Sequence, residues 1–168
     1  MRDHYLMFAN YNKWANQLLY ADVAHLPDHQ YRQDLGAFFK SVHGTLNHLY
    51  VGDTIWMNRF DGEGETPKDL KAIMHENFDA LNQARIAMDE RIINYIDDLN
   101  EATLAADFSY QTIVNPENIT QPLYPALAQF FNHQTHHRGQ VHALLTRLTG
   151  KAPSLDLLYY LREQTMAA

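Results

Sequence analysis

Cysteine is absent from this chain of 168 residues. That removes disulfides, thiolate metal ligands and a protein-borne thiol nucleophile together, and it fits a reducing compartment. A basic surplus is missing too: 13 Lys and Arg stand against 20 Asp and Glu, a formal charge of -7. Nucleic acid calls for a basic face, and no local run of Lys or Arg supplies one, so no nucleic-acid partner is expected. No stretch reaches the ~18 uninterrupted apolar residues of a membrane helix. The start, Met1-Arg2-Asp3-His4-Tyr5, lacks the charged-then-apolar layout of a signal peptide. A cytoplasmic protein without a membrane partner is expected. Repeats, low-complexity tracts and dividing linkers are also missing, so residues 1–168 are expected to form one domain.

Familiar catalytic strings are lacking as well. There is no Gly-x-Ser-x-Gly elbow, no phosphate-binding glycine loop and no dinucleotide fingerprint. His75-Glu76 has no second histidine four residues after the first, which excludes the helical metalloprotease signature. The paired Glu-x-x-His motifs of di-iron bundles do not occur. Ser41, Ser109 and Ser154 read as ordinary helix and turn serines.

What the chain does have is apolar periodicity. Hydrophobic residues make up 46% of it, enough for a core and against disorder. A first helix is expected over about Asp3–Ala24, with Tyr11, Ala15, Leu18 and Leu19 on one stripe and Pro27 ending it. A second is expected over about Leu35–Arg59, with Phe38, Val42, Leu46 and Leu49 along one side. Asp61-Gly62-Glu63-Gly64 breaks it. A third is expected to start at Thr66-Pro67 and to carry Leu70, Met74, Leu81, Met88, Ile92, Tyr95 and Leu99. Between Glu101 and Gln121 the helical period fails. Partial alternation around Phe108, Tyr110 and Ile113, followed by Asn115-Pro116-Glu117-Asn118, predicts a short hairpin or extended loop. A fourth helix follows from about Pro122 to Leu148, stopped by Gly150, and a short fifth over about Ser154–Glu163. The expected fold is all-α, an up-down-type four-helix bundle with an irregular or hairpin segment before the fourth helix and a short C-terminal helix.

The chain has ten histidines, and four of them fall between His133 and His142. Successive helical residues are offset by about 100°, so His133 and His137 lie only about 40° apart. Ala126, Phe130, Val141, Leu144 and Leu148 share their stripe. Two imidazoles on one core-facing stripe are the usual way a helix offers two nitrogens to one ion. His136 projects to the polar side with Asn132 and Gln140. A third ligand must come from another helix. On the second, periodicity favours His48, at the margin of the apolar side with Trp56, over His43, which projects well away from it.

The segment Ser41-Val42-His43-Gly44-Thr45-Leu46-Asn47-His48, running on to Asp53 and Trp56, resembles the first signature of the DinB family. Asn132-His133-Gln134-Thr135-His136-His137-Arg138-Gly139-Gln140 resembles the second. Tyr11–Asn16 and Ser154–Arg162 are similar to the family as well, so the resemblance spans nearly the whole chain. It implies a bundle of the DinB/YfiT type, usually a homodimer, with a divalent ion held by His48, His133 and His137. Relatives of the family include transferases that use a low-molecular-weight thiol, and isomerases or hydrolases.

Three neutral imidazoles leave an ion its full charge and room for another ligand, which can make water or a thiol more acidic. The expected function is therefore a metal-dependent enzyme activating an external thiol or water toward a small-molecule substrate. The general base is unassigned, and Asp53 and Gln140 are candidates to orient the ligand imidazoles. The alternative is a non-catalytic, metal-stabilised binding or scaffold protein with a stress-related role. A third reading has the histidines titrating without metal near neutral pH. Three nitrogens suit Zn, Ni, Cu or Fe.

Overall fold

The structure, a computed structural model, describes residues 1–167. Four long helices form an all-α bundle: α1 (Arg2–Val23), α3 (Val42–Asp61), α4 (Phe78–Asp97) and α6 (Leu123–Thr149). Two short helices, α2 (Asp28–Tyr31) and α5 (Glu101–Ala105), sit in connections, and α7 (Leu157–Ala167) follows the bundle. Both α1 and α3 pack on α4 and on α6, so α1 faces α3 across the core. The segment before α6 is the expected hairpin. In it β1 (Asp107–Gln111) runs antiparallel to β2 (Asn118–Pro122), with Asp107 opposite Pro122. No helix among the described residues is long and apolar enough to cross a membrane.

The core divides along the bundle axis. One apolar cluster gathers Met57, Ile92, Leu127 and Phe130; the other gathers Leu19, Leu46, Leu81, Val141 and Leu145. On α3 and α6 the polar residues fall between these clusters, where the apolar stripe is interrupted. That break places the histidines in the middle of the bundle.

Three helix boundaries differ from expectation, each for a local reason. The second long helix begins at Val42, not Leu35, because the Ser41 hydroxyl caps it by accepting from the Gly44 N–H at 3.0 Å. Residues 35–40 form a tight turn instead, with Leu35 N–H on the Lys40 carbonyl and Lys40 at φ 67. Phe38 is 74% exposed on that turn and takes no part in the buried stripe. Gly44 makes the turn possible: a Cβ there would lie 2.1 Å from the Phe39 carbonyl oxygen.

The third long helix begins at Phe78, capped by Asn77, and not at Pro67. Residues 66–77 run irregularly because side chains of α3 satisfy their backbone. Asn47 accepts from the His75 N–H and donates to its carbonyl, at 3.0 and 3.1 Å. Leu70 and Met74 therefore leave the expected helical stripe. The C-terminal helix starts at Leu157 rather than Ser154 and lies against α1, where Tyr160 meets Tyr11 and Trp14. By contrast α6 starts after Pro122 and stops at Gly150 (φ 78), close to the expected bounds.

Candidate metal centre

His48 comes from the middle of α3, and His133 and His137 from adjacent turns of α6. Each brings one ring nitrogen to within 4.8 Å of the other two. His48 and His137 are buried and His133 is half-buried. Ring centroids are 4.4 Å apart for His133 and His137, 4.4 Å for His48 and His137, and 5.3 Å for His48 and His133. Gly52 on α3 leaves room for the His133 ring in this position, since a Cβ there would lie 2.8 Å from it.

Hydrogen bonds fix which nitrogen faces inward on two of the three rings. His48 Nδ1 is 2.8 Å from the Leu70 carbonyl oxygen. A carbonyl only accepts, so Nδ1 carries the proton and Nε2 of the neutral ring holds a lone pair. His137 Nδ1 is 2.8 Å from Gln140 Oε1, and the amide nitrogen of Gln140 is 3.1 Å from His136 Nε2. With the amide in that orientation His137 also donates from Nδ1 and bears its lone pair on Nε2. The two Nε2 atoms face each other at 3.2 Å. Two lone pairs at that separation repel unless a cation or a shared proton lies against them.

Protons are disfavoured there. Burial, with His137 and His48 beside it, pushes the His133 pKa down to about 3. Burial also takes His137 to about 4 against the opposing pull of Gln140, and lowers His48. His133 Nδ1 is buried with no hydrogen-bond partner. The arrangement is three neutral imidazoles, two with inward lone pairs and one with an orphaned nitrogen. Such a donor set could hold a divalent ion, and no fourth side chain of the His, Cys, Asp or Glu kind is grouped with it among the described residues.

The DinB family's sequence signature matches residues 1–167. The chain belongs to the DinB family. The protein DinB of Bacillus subtilis (strain 168) is 25% identical over 171 residues, covering 96% of this chain and 95% of its own. A DinB-like protein from Bacillus cereus ATCC 10987, of known crystal structure, has the same fold. It superposes with a TM-score of 0.60 at 18% identity, over 88% of this chain and 94% of its own. The family assignment and the buried three-histidine group both fit a metal-binding protein.

Other DinB-signature residues separate into distinct roles. Gln140 orients His137, as suggested. Asp53 does not touch the histidines: it is fully buried, paired with Arg85 and accepting from Gln134 Nε2 at 2.9 Å. His136 is exposed, in keeping with its projection. His43, projected away from the core, is in fact buried at 6% exposure, packing on Tyr31 and donating from Nε2 to the His75 carbonyl at 3.2 Å. The irregular segment 66–77 covers it. Of the aromatics that could wall the site, Trp56 lines a cavity that reaches His48 and His133. Tyr5 and Trp14 lie elsewhere in the aromatic packing of α1, and Tyr124 is 41% exposed.

Sequence reasoning missed Phe39, whose ring stacks on His48 at 3.8 Å, and the Leu70 carbonyl that sets its tautomer. It also missed the charge of the adjoining cavity. Arg59 reaches into it from the last turn of α3, half-buried, with its guanidinium 4.9 Å from the Trp56 ring and 4.8 Å from Tyr110. Nothing in the string around Arg59 marks it, because Tyr110 arrives from the hairpin.

Proposed function

We propose that His48, His133 and His137 hold a divalent metal ion and that the protein is a metal-dependent enzyme acting on a small molecule. The supporting observation is the pair of inward Nε2 lone pairs 3.2 Å apart, in a group whose pKa values keep protons out at neutral pH. An ion bound there would act as a Lewis acid, making water or a thiol more acidic and polarising a carbonyl. The chain has no cysteine, so a reacting thiol would be a separate low-molecular-weight molecule.

The residues around the ligands hold geometry and admit substrate. Leu70 and Gln140 fix the His48 and His137 tautomers from outside. Phe39 blocks rotation of His48 by stacking. The Trp56 cavity, about 400 Å³, leads to His48 and His133 and is of the size that accepts a small molecule. That access, with three protein ligands and no fourth, favours an enzyme over a closed, structural metal site. The same reading takes the protein as a cytoplasmic homodimer, which sedimentation at micromolar concentration checks.

The test is metal content per chain after expression without a polyhistidine tag, for the wild type and His48→Ala together. Close to one ion in the wild type and loss in the variant is the expected result. A folded wild type without metal would reject the metal reading. A metal-loaded protein inert toward thiol-transfer and hydrolysis substrates would move the assignment to a metal-stabilised binding protein.

A further inference from the structure

Four of the eight arginines of this chain form ion pairs among the described residues, and Arg59 is not one of them. Arg2, Arg32, Arg85 and Arg91 each pair with a carboxylate. Arg59 has no carboxylate within ion-pair distance among the described residues, although the chain carries a charge of -7. Its Nη2 donates to the Gln111 carbonyl at 2.6 Å, which uses one of its five N–H groups. Among the described residues Arg138, Arg147 and Arg162 also lack a carboxylate, but Arg138 donates to Asn12 in the buried polar cluster and the other two are exposed, whereas Arg59 is half-buried with N–H groups left to a cavity. What it faces is the cavity of about 400 Å³ that ends at His48 and His133. Ile55, Trp56, Ile113 and Val114 give that cavity an apolar wall.

A second cavity, of about 460 Å³, meets the first at His48, Leu70, Ile113 and Val114. Its charged lining residues are Lys68, Lys71 and Asp69, and Lys71 lies 5.0 Å from the exposed Phe38 ring. Across both cavities three cations face one acid, the reverse of the balance in the whole chain. A locally positive approach on an acidic body draws in anions that the rest of the surface repels.

We propose that the cavity beside the histidines binds a small organic carboxylate. Its apolar body lies along Trp56 and Ile113, its carboxylate pairs with the free edge of Arg59, and its other end lies at His48 and His133. One planar guanidinium matches one planar, singly charged group. No long-helix N-terminus or glycine-rich turn lines the cavity to satisfy the further oxygens of a phosphate dianion. The inference rests on the histidine group being the reactive centre, because it names what the adjoining cavity holds.

Phenylacetate and its neutral counterpart phenylacetamide test it on the full-length, zinc-loaded protein, by calorimetry and by quenching of tryptophan fluorescence. The acid should bind about tenfold tighter than the amide, and Arg59→Gln should remove that preference. Arg59→Lys should retain part of it, and Arg147→Gln, at an exposed arginine held on the Leu35 carbonyl, should leave it unchanged. Proton NMR on the wild type should show the phenyl ring against the Trp56 indole, which tests the site even where an Arg59 variant fails to fold. Equal binding of acid and amide, a preference that survives Arg59→Gln, or displacement by equimolar inorganic phosphate would each overturn the proposal.

Chelator-treated protein separates this inference from the metal reading. A preference that persists without metal belongs to Arg59, and it would stand even if no ion were ever bound. A preference lost with the metal and indifferent to Arg59 would put the carboxylate on the ion, sinking this proposal while supporting the metal site.

Discussion

Two polar clusters share the interior of this bundle, built from neighbouring residues of the same helices, and they differ in every electrostatic respect. His133 and His137 belong to one; Gln134 and Arg138, one residue on and about 100° round α6, belong to the other. Likewise α3 gives His48 to the first and Asp53 to the second. The second cluster is charged and paired: Arg85 bridges Asp53 and Asp89, and Asn12 and Asn16 donate to Asp89 at 3.2 and 3.0 Å. Burial works against the Arg85 cation, but Asp89 and Asp53 outweigh it and raise its pKa. The first cluster is neutral, has no such partners, and opens on a cavity. One group ties α1, α3, α4 and α6 into register; the other uses that register to hold three imidazoles together. Buried charges held in ion pairs across four helices read as architecture, and buried neutral nitrogens gathered at the end of a cavity read as a site.

The largest expected effect comes from breaking the closed cluster. Asp53→Ala leaves Arg85 buried with half its counter-charge gone and should cost about 3–5 kcal/mol of stability, read from urea unfolding. His137→Ala, measured in metal-free protein, should cost far less, because it removes an unprotonated ring whose nitrogen faces another lone pair. Its penalty should appear in metal affinity, with a loss beyond the roughly 100-fold seen for partners one shell further out. A mild Asp53→Ala or a metal-free His137→Ala that unfolds the protein would erase the distinction between the two clusters.

A pH series sharpens the comparison at intermediate size. The folded pKa values of His133 (about 3) and His137 (about 4) lie below the ordinary 6.5. The unfolded chain therefore binds protons before the folded one does. Stability of the metal-free protein is full above pH 6.5, falls as pH drops through that value, and levels off below the folded pKa values. Water at the open side limits the loss, expected on the order of 1–2 kcal/mol between pH 7 and pH 5. In the His133→Ala, His137→Ala double variant that slope should shrink. An unchanged slope would assign the acid sensitivity elsewhere.

Legibility in the sequence followed the range of the forces involved. The last long helix was readable because its determinants are local: an apolar period, Pro122 at the start and Gly150 at the end. Its histidine pair was readable for the same reason, as spacing alone puts His133 and His137 on one face. His48 needed only the register of α3. Residues 66–77 were not readable, because the period that suggested a helix loses to Asn47 and His48, which hold their backbone from another element. The Leu70 contribution is a carbonyl, which every residue has. His43 was misplaced because its cover is that same irregular segment. Arg59 looked like an ordinary basic residue in a final helical turn until the hairpin brought Tyr110 against it.

The smallest expected effects lie at the rim of the open cluster, where the contributions of Gln140 and His136 can be told apart. Gln140 touches His137 directly, accepting from Nδ1 and so keeping the lone pair on Nε2. Gln140→Ala should leave the fold unchanged and weaken metal binding by about 10-fold, the low end of what such partners contribute. His136 acts only by holding the Gln140 amide in orientation, and it does so in solvent, where water can replace it. His136→Ala should therefore weaken metal binding by less than Gln140→Ala does, and the double variant should be no worse than Gln140→Ala alone, because the two act in series. Competition against a chromophoric chelator resolves differences of this size. If His136→Ala abolished binding while His133→Ala were silent, the lone pairs identified here would not be the ones that hold the ion.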